Sequence, residues 1–199
     1  MNVHTHTPFS AAGFAHPGKN LAALAIEPGM MIADFGAGSG AYVLEIAQAL
    51  AGSGRVYAVD VQKDLLRRIH TEAAKRGLDQ VMEFIWGDLE AEGGSKIGGG
   101  KLDLVLISNL LFQVPDKSAI LREARRILKP SGRLAIIDWS ESFGGMGPQR
   151  EDVVNKESAL QLARKEGYEL MREFHAGAHH YGLTLRLVSE EERKAKGDH

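Results

Sequence analysis

The sequence contains no cysteine, and its 199 residues include only six prolines and 7% aromatic residues. Without cysteine, the chain has no disulfide bonds, no thiolate metal ligands and no cysteine nucleophile. The formal net charge is -2, so the excess positive charge typical of nucleic-acid-binding domains is missing as well. No apolar run approaches the roughly 20 residues of a membrane-spanning helix, and the N-terminus lacks the pattern of a secretory signal. We therefore expect a cytoplasmic protein with no membrane span and no nucleic-acid partner.

Short apolar runs alternate with amphipathic segments along most of the chain. Five runs predict buried strands, and they cover residues 30–33, 55–60, 81–86, 102–108 and 133–139. Nearly continuous apolar runs are typical of parallel strands that helices cover on both faces. Residues 168–174 and 181–187 instead alternate apolar and polar side chains, which indicates antiparallel strands. The predicted fold class is α/β: a doubly wound, Rossmann-like sheet of five parallel strands followed by a C-terminal antiparallel hairpin.

The segments between these strands predict helices and loops. Helical spacing or capping residues predict helices over residues 20–26, 41–50, 63–76, 117–128 and 155–166. Residues 91–101 and 140–152 have the composition of loops, and residues 175–180 are predicted to form the turn of the hairpin. We expect a flexible N-terminal arm over residues 1–16, one domain over residues 17–189 and a charged tail over residues 190–199.

Three glycines at alternate positions, Gly36, Gly38 and Gly40, lie between the first predicted strand and the following helix. Glycine lets the backbone come close to a ligand, and the helix N-terminus offers free N–H groups to its polar part. The dinucleotide-binding fingerprint is G-x-G-x-x-G, but here the third glycine comes one residue early. The loop therefore predicts a nucleotide-like ligand whose identity depends on other residues.

Asp60 ends the second predicted strand, about 20 residues after the last glycine. A carboxylate at this position accepts hydrogen bonds from the hydroxyl groups of a ribose. Because enzymes that bind nicotinamide dinucleotides share this feature, Asp60 predicts a ribose and does not by itself predict a methyl donor.

The short glycine spacing preceded by Asp34 resembles motif I of the class I S-adenosylmethionine-dependent methyltransferases. Further landmarks of that family follow in order: Gly87-Asp88-Leu89, Ser108-Asn109 and Lys129-Pro130-Ser131-Gly132. The chain is most similar to the branch that includes the ubiquinone and menaquinone biosynthesis methyltransferases. The resemblance implies a seven-stranded methyltransferase domain over residues 17–189, with S-adenosylmethionine as cofactor and S-adenosylhomocysteine as product.

The same resemblance implies a role for each residue of the donor site. The glycine loop would wrap the methionine moiety, and Asp88 would bond the adenine amino group. Val61 and Leu89 would cover the adenine ring, and Asn109 would face the transferred methyl group. The implied cofactor-binding residues are Asp34, Gly36, Ala37, Gly38, Gly40, Asp60, Val61, Gly87, Asp88, Leu89 and Asn109.

Methyl transfer from a sulfonium is an in-line displacement, so alignment of the reactants supplies much of the catalysis. An acceptor that carries a proton also needs a base, and histidine suits this role near neutral pH. The candidate catalytic residues are Asn109, Asp138, His175, His179 and His180, with His16 and Glu141 as further candidate bases. Adjacent strand residues point to opposite faces, so only one of His179 and His180 can share a site with His175.

Several functions remain open for these residues. The histidine cluster is also compatible with a metal site or with a structural role, and we predict no metal because regular ligand spacing is missing. A small-molecule acceptor is the main expectation. The alternatives are methylation of RNA or protein, a non-catalytic S-adenosylmethionine-binding protein, and a nicotinamide-dependent reductase with an unusual glycine loop.

Overall fold

Strands and helices alternate along the described residues 16–145, 147–189 and 191–192 of this computed structural model. The strands are β1 (Met31–Phe35), β2 (Arg55–Asp60), β3 (Met82–Trp86), β4 (Leu102–Ser108), β5 (Leu128–Trp139), β6 (Tyr168–Gly177) and β7 (His180–Leu187). The α-helices are α1 (Pro17–Leu24), α2 (Ala41–Ala49), α3 (Lys63–Lys75), α4 (Lys117–Ile127) and α5 (Lys156–Lys165). Single 3₁₀ turns lie at Asp79–Val81 and Leu111–Gln113. Of the predicted arm, residues 1–15 lie outside the described residues.

One seven-stranded sheet has the order β3-β2-β1-β4-β5-β7-β6. Strands β1 to β5 pair in parallel, whereas β7 pairs antiparallel with both β5 and β6. This arrangement confirms the predicted parallel sheet with its C-terminal hairpin. The strand order reverses between β1 and β4, and open α/β sheets bind ligands at the carboxyl ends of their strands at such a switch point.

Two hydrophobic cores cover the two faces of the sheet. Helices α4 and α5 pack against residues such as Phe35, Ile107 and Ile136 on one face. Helices α1, α2 and α3 pack on the other face, against residues that include Ile32 and Leu106. Because both faces are covered, the central strands are nearly continuous in apolar residues, as the sequence predicted. Replacing the fully buried Phe35 by alanine would cost about 3–5 kcal/mol of stability.

Local signals determine where the helices begin and end. The side chains of Asp116 and Asn155 cap α4 and α5, since each accepts a hydrogen bond of 2.9 Å from the N–H three residues later. Helix α1 begins at Pro17 rather than at residue 20, because proline fits the first turn of a helix. Gly77, with a φ of +67°, follows the end of α3.

Two segments differ from the sequence prediction. Strand β5 begins at Leu128 rather than at residue 133, and residues 129–132 form an irregularity between the pairs Leu102↔Leu128 and Leu104↔Arg133. The hairpin turn is shorter than predicted, since only Ala178 and His179 lie between β6 and β7. A bulge between His175 and Gly177 keeps those residues in the ladder, which lengthens the strand.

Among the described residues, no helix has the length and apolar character needed to cross a membrane.

Candidate functional site

The glycine loop connects the end of β1 to the start of α2 and lies against β2. The N–H groups of Gly36 and Ala37 both donate to the carbonyl oxygen of Val59, over 2.9 and 3.1 Å. Gly36, Gly38 and Gly40 have φ values of +71°, +53° and +86°, which favour glycine. A Cβ atom on Gly36 would lie 2.9 Å from Cδ1 of Leu110. The alternate glycines therefore permit both the turn and the close packing of Leu110.

Asp60 joins the glycine loop to the turn that follows β2. Its Oδ2 accepts a hydrogen bond from the N–H of Gly38 over 2.9 Å, and its Oδ1 accepts one from the N–H of Gln62 over 2.8 Å. The residue is only 5% exposed, yet it lines an open cleft. Each carboxylate oxygen can accept more than one hydrogen bond, so Asp60 can hold both backbone segments and a ligand hydroxyl.

The cleft beside Asp60 has a volume of about 320 Å³ and lies at the carboxyl ends of β1 to β4. It brings together seven of the predicted cofactor residues: Gly36, Gly38, Asp60, Val61, Gly87, Asp88 and Leu89. The other predicted residues lie outside this lining: Asp34 is in β1, Ala37 and Gly40 are in the glycine loop, and Asn109 follows β4. The lining also contains residues that sequence reasoning missed: Gln62, Glu90, Leu110, Gln113, Val114 and Ile120.

Close packing defines the end of the cleft near Asp88. A Cβ atom on Gly87 would lie 2.1 Å from the carbonyl oxygen of Gly94, so the loop over residues 91–101 passes directly against this turn. Glu123 on α4 holds that loop, because its Oε1 accepts the N–H of Ser95 over 3.0 Å. Asp88 is exposed, and its Oδ1 accepts the N–H of Glu90 over 3.0 Å. The turn is therefore braced by its neighbours while Asp88 remains accessible in the cleft.

Trp86 at the end of β3 supports the turn that carries Val61. Its indole N–H donates to the carbonyl oxygen of Val61 over 3.0 Å, and the Nζ of Lys63 lies 3.7 Å from the ring centroid. The side chains of Trp86 and Val61 are 50% and 62% exposed, which is unusual for large apolar residues. Sequence reasoning placed Trp86 in a strand but missed this contact, for which the sequence carries no separate signal.

Asp34 is 2% exposed, and its Oδ1 has no hydrogen-bond partner among the described residues. Burial, with a smaller contribution from the charge of Asp60, raises the pKa of Asp34 to about 7, although the N–H of Val43 opposes the shift. A buried acceptor oxygen without a donor is costly. The position therefore suits a ligand that supplies a positive charge or a hydrogen-bond donor beside the glycine loop.

Asn109 follows β4 with a φ of +52°, a conformation that asparagine tolerates better than most residues. Its N–H donates to the carbonyl oxygen of Ile137 over 2.9 Å, and its carbonyl oxygen accepts the side-chain amide of Gln113. The side-chain Oδ1 of Asn109 is buried and unpaired within the described part of the chain. Strained backbone and an unpaired buried oxygen occur together at ligand sites, so this position fits contact with a bound molecule.

Asp138 on β5 is fully buried and bonds to backbone N–H groups. Its Oδ1 accepts the N–H of Trp139 over 2.8 Å, and its Oδ2 accepts the N–H of Leu111 over 3.1 Å. Burial raises the pKa of Asp138 to about 7, although these hydrogen bonds oppose the rise. The residue predicted for the acceptor site thus supports the turn after β4.

The three hairpin histidines have different environments. His179 contacts the loop after β5: its Nδ1 lies 2.9 Å from Oε1 of Glu141, and its ring stacks on Phe143 with centroids 3.8 Å apart. His180 packs against Trp139 and is 4% exposed, and no described group bonds its Nδ1. His175 is exposed, and it lines a second cavity together with His180. The described residues contain no group of three or more His, Asp or Glu side chains that could hold a metal ion.

The residues around the cleft fit S-adenosylmethionine. Gly36 and Gly38 line the cleft without side chains, and Asp60 lies where a ribose can bond. The unpaired oxygens belong to Asp34 in β1 and to Asn109 directly after β4, the two strands on either side of the strand switch. The site therefore has the shape and the acceptor groups that a cationic nucleoside needs.

Comparisons with known proteins agree with this geometry. The profile of a family described as a methyltransferase domain matches residues 26–181. An arsenite methyltransferase from Aquipseudomonas alcaligenes is 32% identical over 125 residues, which cover 61% of this chain and 36% of that protein. The ubiquinone/menaquinone biosynthesis C-methyltransferase UbiE from Shewanella oneidensis is 27% identical over 114 residues, which cover 57% of this chain and 44% of that protein. The chain thus spans less than half the length of these curated relatives.

Solved structures show the same fold. A S-adenosylmethionine-dependent methyltransferase from Aquifex aeolicus superposes with a TM-score of 0.80 at 24% identity, and the match covers 91% of this chain and 94% of that one. The predicted class I fold is confirmed, and the chain belongs to the methyltransferase domain family.

Proposed function

We propose that this protein transfers the methyl group of S-adenosylmethionine to a small molecule and releases S-adenosylhomocysteine. The observation that carries the proposal is the double role of Asp60, which bonds the N–H groups of Gly38 and Gln62 and lines the cleft at the strand switch. Such a carboxylate fixes the glycine loop in place and still offers lone pairs to a ribose.

Different residues of the cleft would bind different parts of S-adenosylmethionine. Asp60 would bond the ribose, Asp88 the adenine amino group, and Leu89 would cover the ring. Asp34 and Asn109 would supply acceptor oxygens near the methionine moiety. When bound, the sulfonium supplies an activated methyl group, so the protein's main contribution is to align the acceptor with it.

The roles of the remaining candidates follow from their surroundings. Asp138 is a positioning residue in this proposal, because both its oxygens hold backbone N–H groups. His175 and His180 line one cavity, which makes them the candidates for contact with the acceptor. His179 instead holds the loop after β5 through Glu141.

A cytoplasmic location is part of the same proposal and is compatible with a chain that lacks cysteine.

Ligand-dependent stability tests the donor assignment. A ligand that binds only the native state stabilises it by about 2.7 kcal/mol at 100 times its Kd. S-adenosylhomocysteine should therefore raise the Tm, and NAD(H) should not. Asp60→Ala should abolish the shift, whereas Asp103→Ala serves as the control, because Asp103 bonds the N–H of Met31 at the opposite end of the sheet. Stabilisation by NAD(H) alone would show that the protein is a nicotinamide-dependent enzyme.

Labelled methyl transfer tests the acceptor class. Incubation with methyl-labelled S-adenosylmethionine and pools of small molecules, RNA or protein should place the label in the small-molecule pool. Label only in RNA or protein would replace this proposal with the macromolecular alternative. Binding of the donor without label in any pool would favour a non-catalytic binding protein.

A further inference from the structure

Residues 91–97 pass against the turn that carries Asp88, and we call this segment the Ser95 loop. A Cβ atom on Gly94 would lie 1.6 Å from the carbonyl oxygen of Asp88, so only glycine lets the two backbones pack this closely. The N–H of Ala91 also donates to that carbonyl oxygen, over 3.2 Å. The position of the Asp88 backbone therefore depends on the position of the Ser95 loop.

Glu123 of α4 holds the Ser95 loop on both sides of Gly94. Its Oε1 accepts the N–H of Ser95 over 3.0 Å, and its Oε2 accepts the N–H of Gly93 over 3.3 Å. The hydroxyl of Ser95 donates to the same Oε1. Glu123 is 4% exposed and Ser95 is fully buried, so little solvent competes for these hydrogen bonds. The residue that packs against Asp88 is thus held through both of its neighbours.

Arg126 lies one turn further along α4 and pairs with the same carboxylate. Its Nε donates to Oε2 of Glu123 over 2.8 Å, and its Nη2 donates to Oε1 over 2.7 Å. Nη2 also donates to the carbonyl oxygen of Ile97 over 2.8 Å, at the end of the Ser95 loop. Burial raises the pKa of Glu123, but the hydrogen bonds from Arg126 and Ser95 outweigh it and hold the pKa below its ordinary value. Glu123 is therefore an ionised carboxylate, which accepts hydrogen bonds and donates none.

The cleft beside Asp60, which we call the donor cleft, is lined by Asp88 and Leu89 but not by Glu123 or Arg126. Leu89 belongs to the same hydrophobic core as Ile97 of the Ser95 loop. An effect of Glu123 on a bound ligand must therefore pass through the Ser95 loop and the turn at Asp88.

We propose that Glu123 is a positioning residue that makes the donor cleft selective for adenine. This role rests on the proposed function, in which Asp88 accepts a hydrogen bond from the adenine amino group. A hydrogen bond weakens steeply when its length or angle leaves the favourable range, so selectivity requires a fixed Asp88. The side chain of Asp88 is exposed and accepts only one N–H in the described structure, that of Glu90, so the backbone beneath it supplies the rigidity.

Glu123→Gln should loosen Asp88 without changing the lining of the cleft. Glutamine keeps one acceptor oxygen, but its NH₂ group would face a backbone N–H or the guanidinium of Arg126, and both of these are donors. A buried donor that is left without an acceptor is costly, so the Ser95 loop should move away from α4. Gly94 then no longer fixes the turn, and adenine loses its advantage over other purines.

Two ligands test this selectivity: S-adenosylhomocysteine and S-inosylhomocysteine, whose purine carries a carbonyl oxygen in place of the amino group. Each is titrated by calorimetry into the full chain. The native protein should bind S-adenosylhomocysteine at least about tenfold more tightly, because a carboxylate accepts from an amino group and repels a carbonyl oxygen. Glu123→Gln should reduce this preference to about threefold or less.

Ser95→Ala is a milder variant, which keeps the carboxylate of Glu123 and the backbone N–H at position 95 but removes one hydroxyl donor. It should lower the preference for adenine by about twofold, and it decides the test alone if Glu123→Gln does not fold. Asp103→Asn is the matched control, because Asp103 also accepts a backbone N–H, that of Met31, and pairs with a cation, Lys129. It lies at the opposite end of the sheet, so it should lower stability and leave the preference unchanged.

An unchanged preference in the folded variants of Glu123 and Ser95 would overturn the positioning role, whether the affinity for both ligands falls equally or not at all. Asp88→Ala separates this outcome from a failure of the proposed function, because it should abolish the preference by itself. A full preference in Asp88→Ala would show that Asp88 does not bond adenine. Failure of the native protein to bind S-adenosylhomocysteine would remove the donor site. Either of these last two results would overturn the role of Glu123 as well.

Discussion

The buried carboxylate of Asp138 accepts a hydrogen bond from the N–H of Leu111 over 3.1 Å, which joins the end of β5 to the turn after β4. That turn carries Leu110, whose side chain packs where a Cβ of Gly36 would lie. One carboxylate thus connects the strand beside the hairpin to the loop that forms the donor cleft. The turn after β4 thus contacts β5 through Asp138 and the glycine loop through Leu110.

Asp138→Asn should weaken donor binding and lower stability. The substituted amide keeps one acceptor oxygen, but its NH₂ group would face a backbone N–H that now lacks a partner. Leaving a buried N–H unpaired costs about 1–3 kcal/mol. Urea unfolding should show a loss of that size, and calorimetry with S-adenosylhomocysteine should show a weaker Kd because Leu110 lines the cleft.

Asp103→Asn is the matched control for this variant. Asp103 also bonds a backbone N–H, that of Met31 over 2.8 Å, but at the opposite end of the sheet. It should lose stability and retain the Kd of the native protein. If both variants bind S-adenosylhomocysteine as tightly as the native protein does, Asp138 is a structural residue only.

Gly36→Ala should impair donor binding more than its backbone strain alone explains. A non-glycine residue at a φ of +71° costs roughly 1–2 kcal/mol, and the new Cβ would also press on Leu110 from 2.9 Å. Gly52→Ala is the control: its φ is +81°, but its Cβ would meet no described atom within 4 Å. Both variants should lose similar backbone stability, whereas only Gly36→Ala should raise the Kd for S-adenosylhomocysteine, by about tenfold or more. Equal affinities in the two variants would contradict the role of Leu110.

Local sequence patterns predicted the strands and helices around the cleft, and the family resemblance pointed to the residues that line it. The alternation of apolar runs and helices determines the parallel sheet, and the spacing from Gly40 to Asp60 reflects one strand-helix-strand unit. Seven of the predicted cofactor residues therefore meet in one cleft. Contacts between residues that are far apart in the sequence could not be predicted from local patterns. The bond from Trp86 to Val61 and the burial of Asp138 arise only once separate strands lie side by side.

The hairpin is a second region in which local sequence patterns predicted the strands but not their detailed pairing. Its alternating residues predicted two strands, but the bulge that extends β6 to Gly177 has no simple sequence signal. His175 pairs with Tyr181 just before the bulge, so it lies in a strand rather than in the turn. The pairing of His180 with Trp139 depends on the register between β5 and β7, which is set by the whole sheet.

Asp34→Asn should change how stability depends on pH. The pKa of Asp34 is about 7 in the folded chain, against an ordinary value of 3.8. Between these values the native state binds more protons than the unfolded state, so this group's contribution to stability is full at low pH and is lost as the pH rises through about 7. Asp34→Asn removes the titration, so the free energy of unfolding should decline less steeply between about pH 5 and 8. Urea unfolding across that range measures the slopes, and an unchanged slope would show that Asp34 is ionised throughout.

His180→Phe should produce a pH effect of opposite sign. The folded pKa of His180 is about 4, below its ordinary value of 6.5, so between these values the unfolded state binds more protons. The native contribution of His180 is therefore present above about pH 6.5 and is lost as the pH falls toward 4. Phenylalanine does not titrate, so the stability of the variant relative to the native protein should increase on acidification from about pH 7 to pH 5. Urea unfolding measures this difference, and imidazole NMR of the native protein should show His180 still neutral at about pH 5. A His180 ring that is protonated at that pH would mean that acid opens the contact with Trp139.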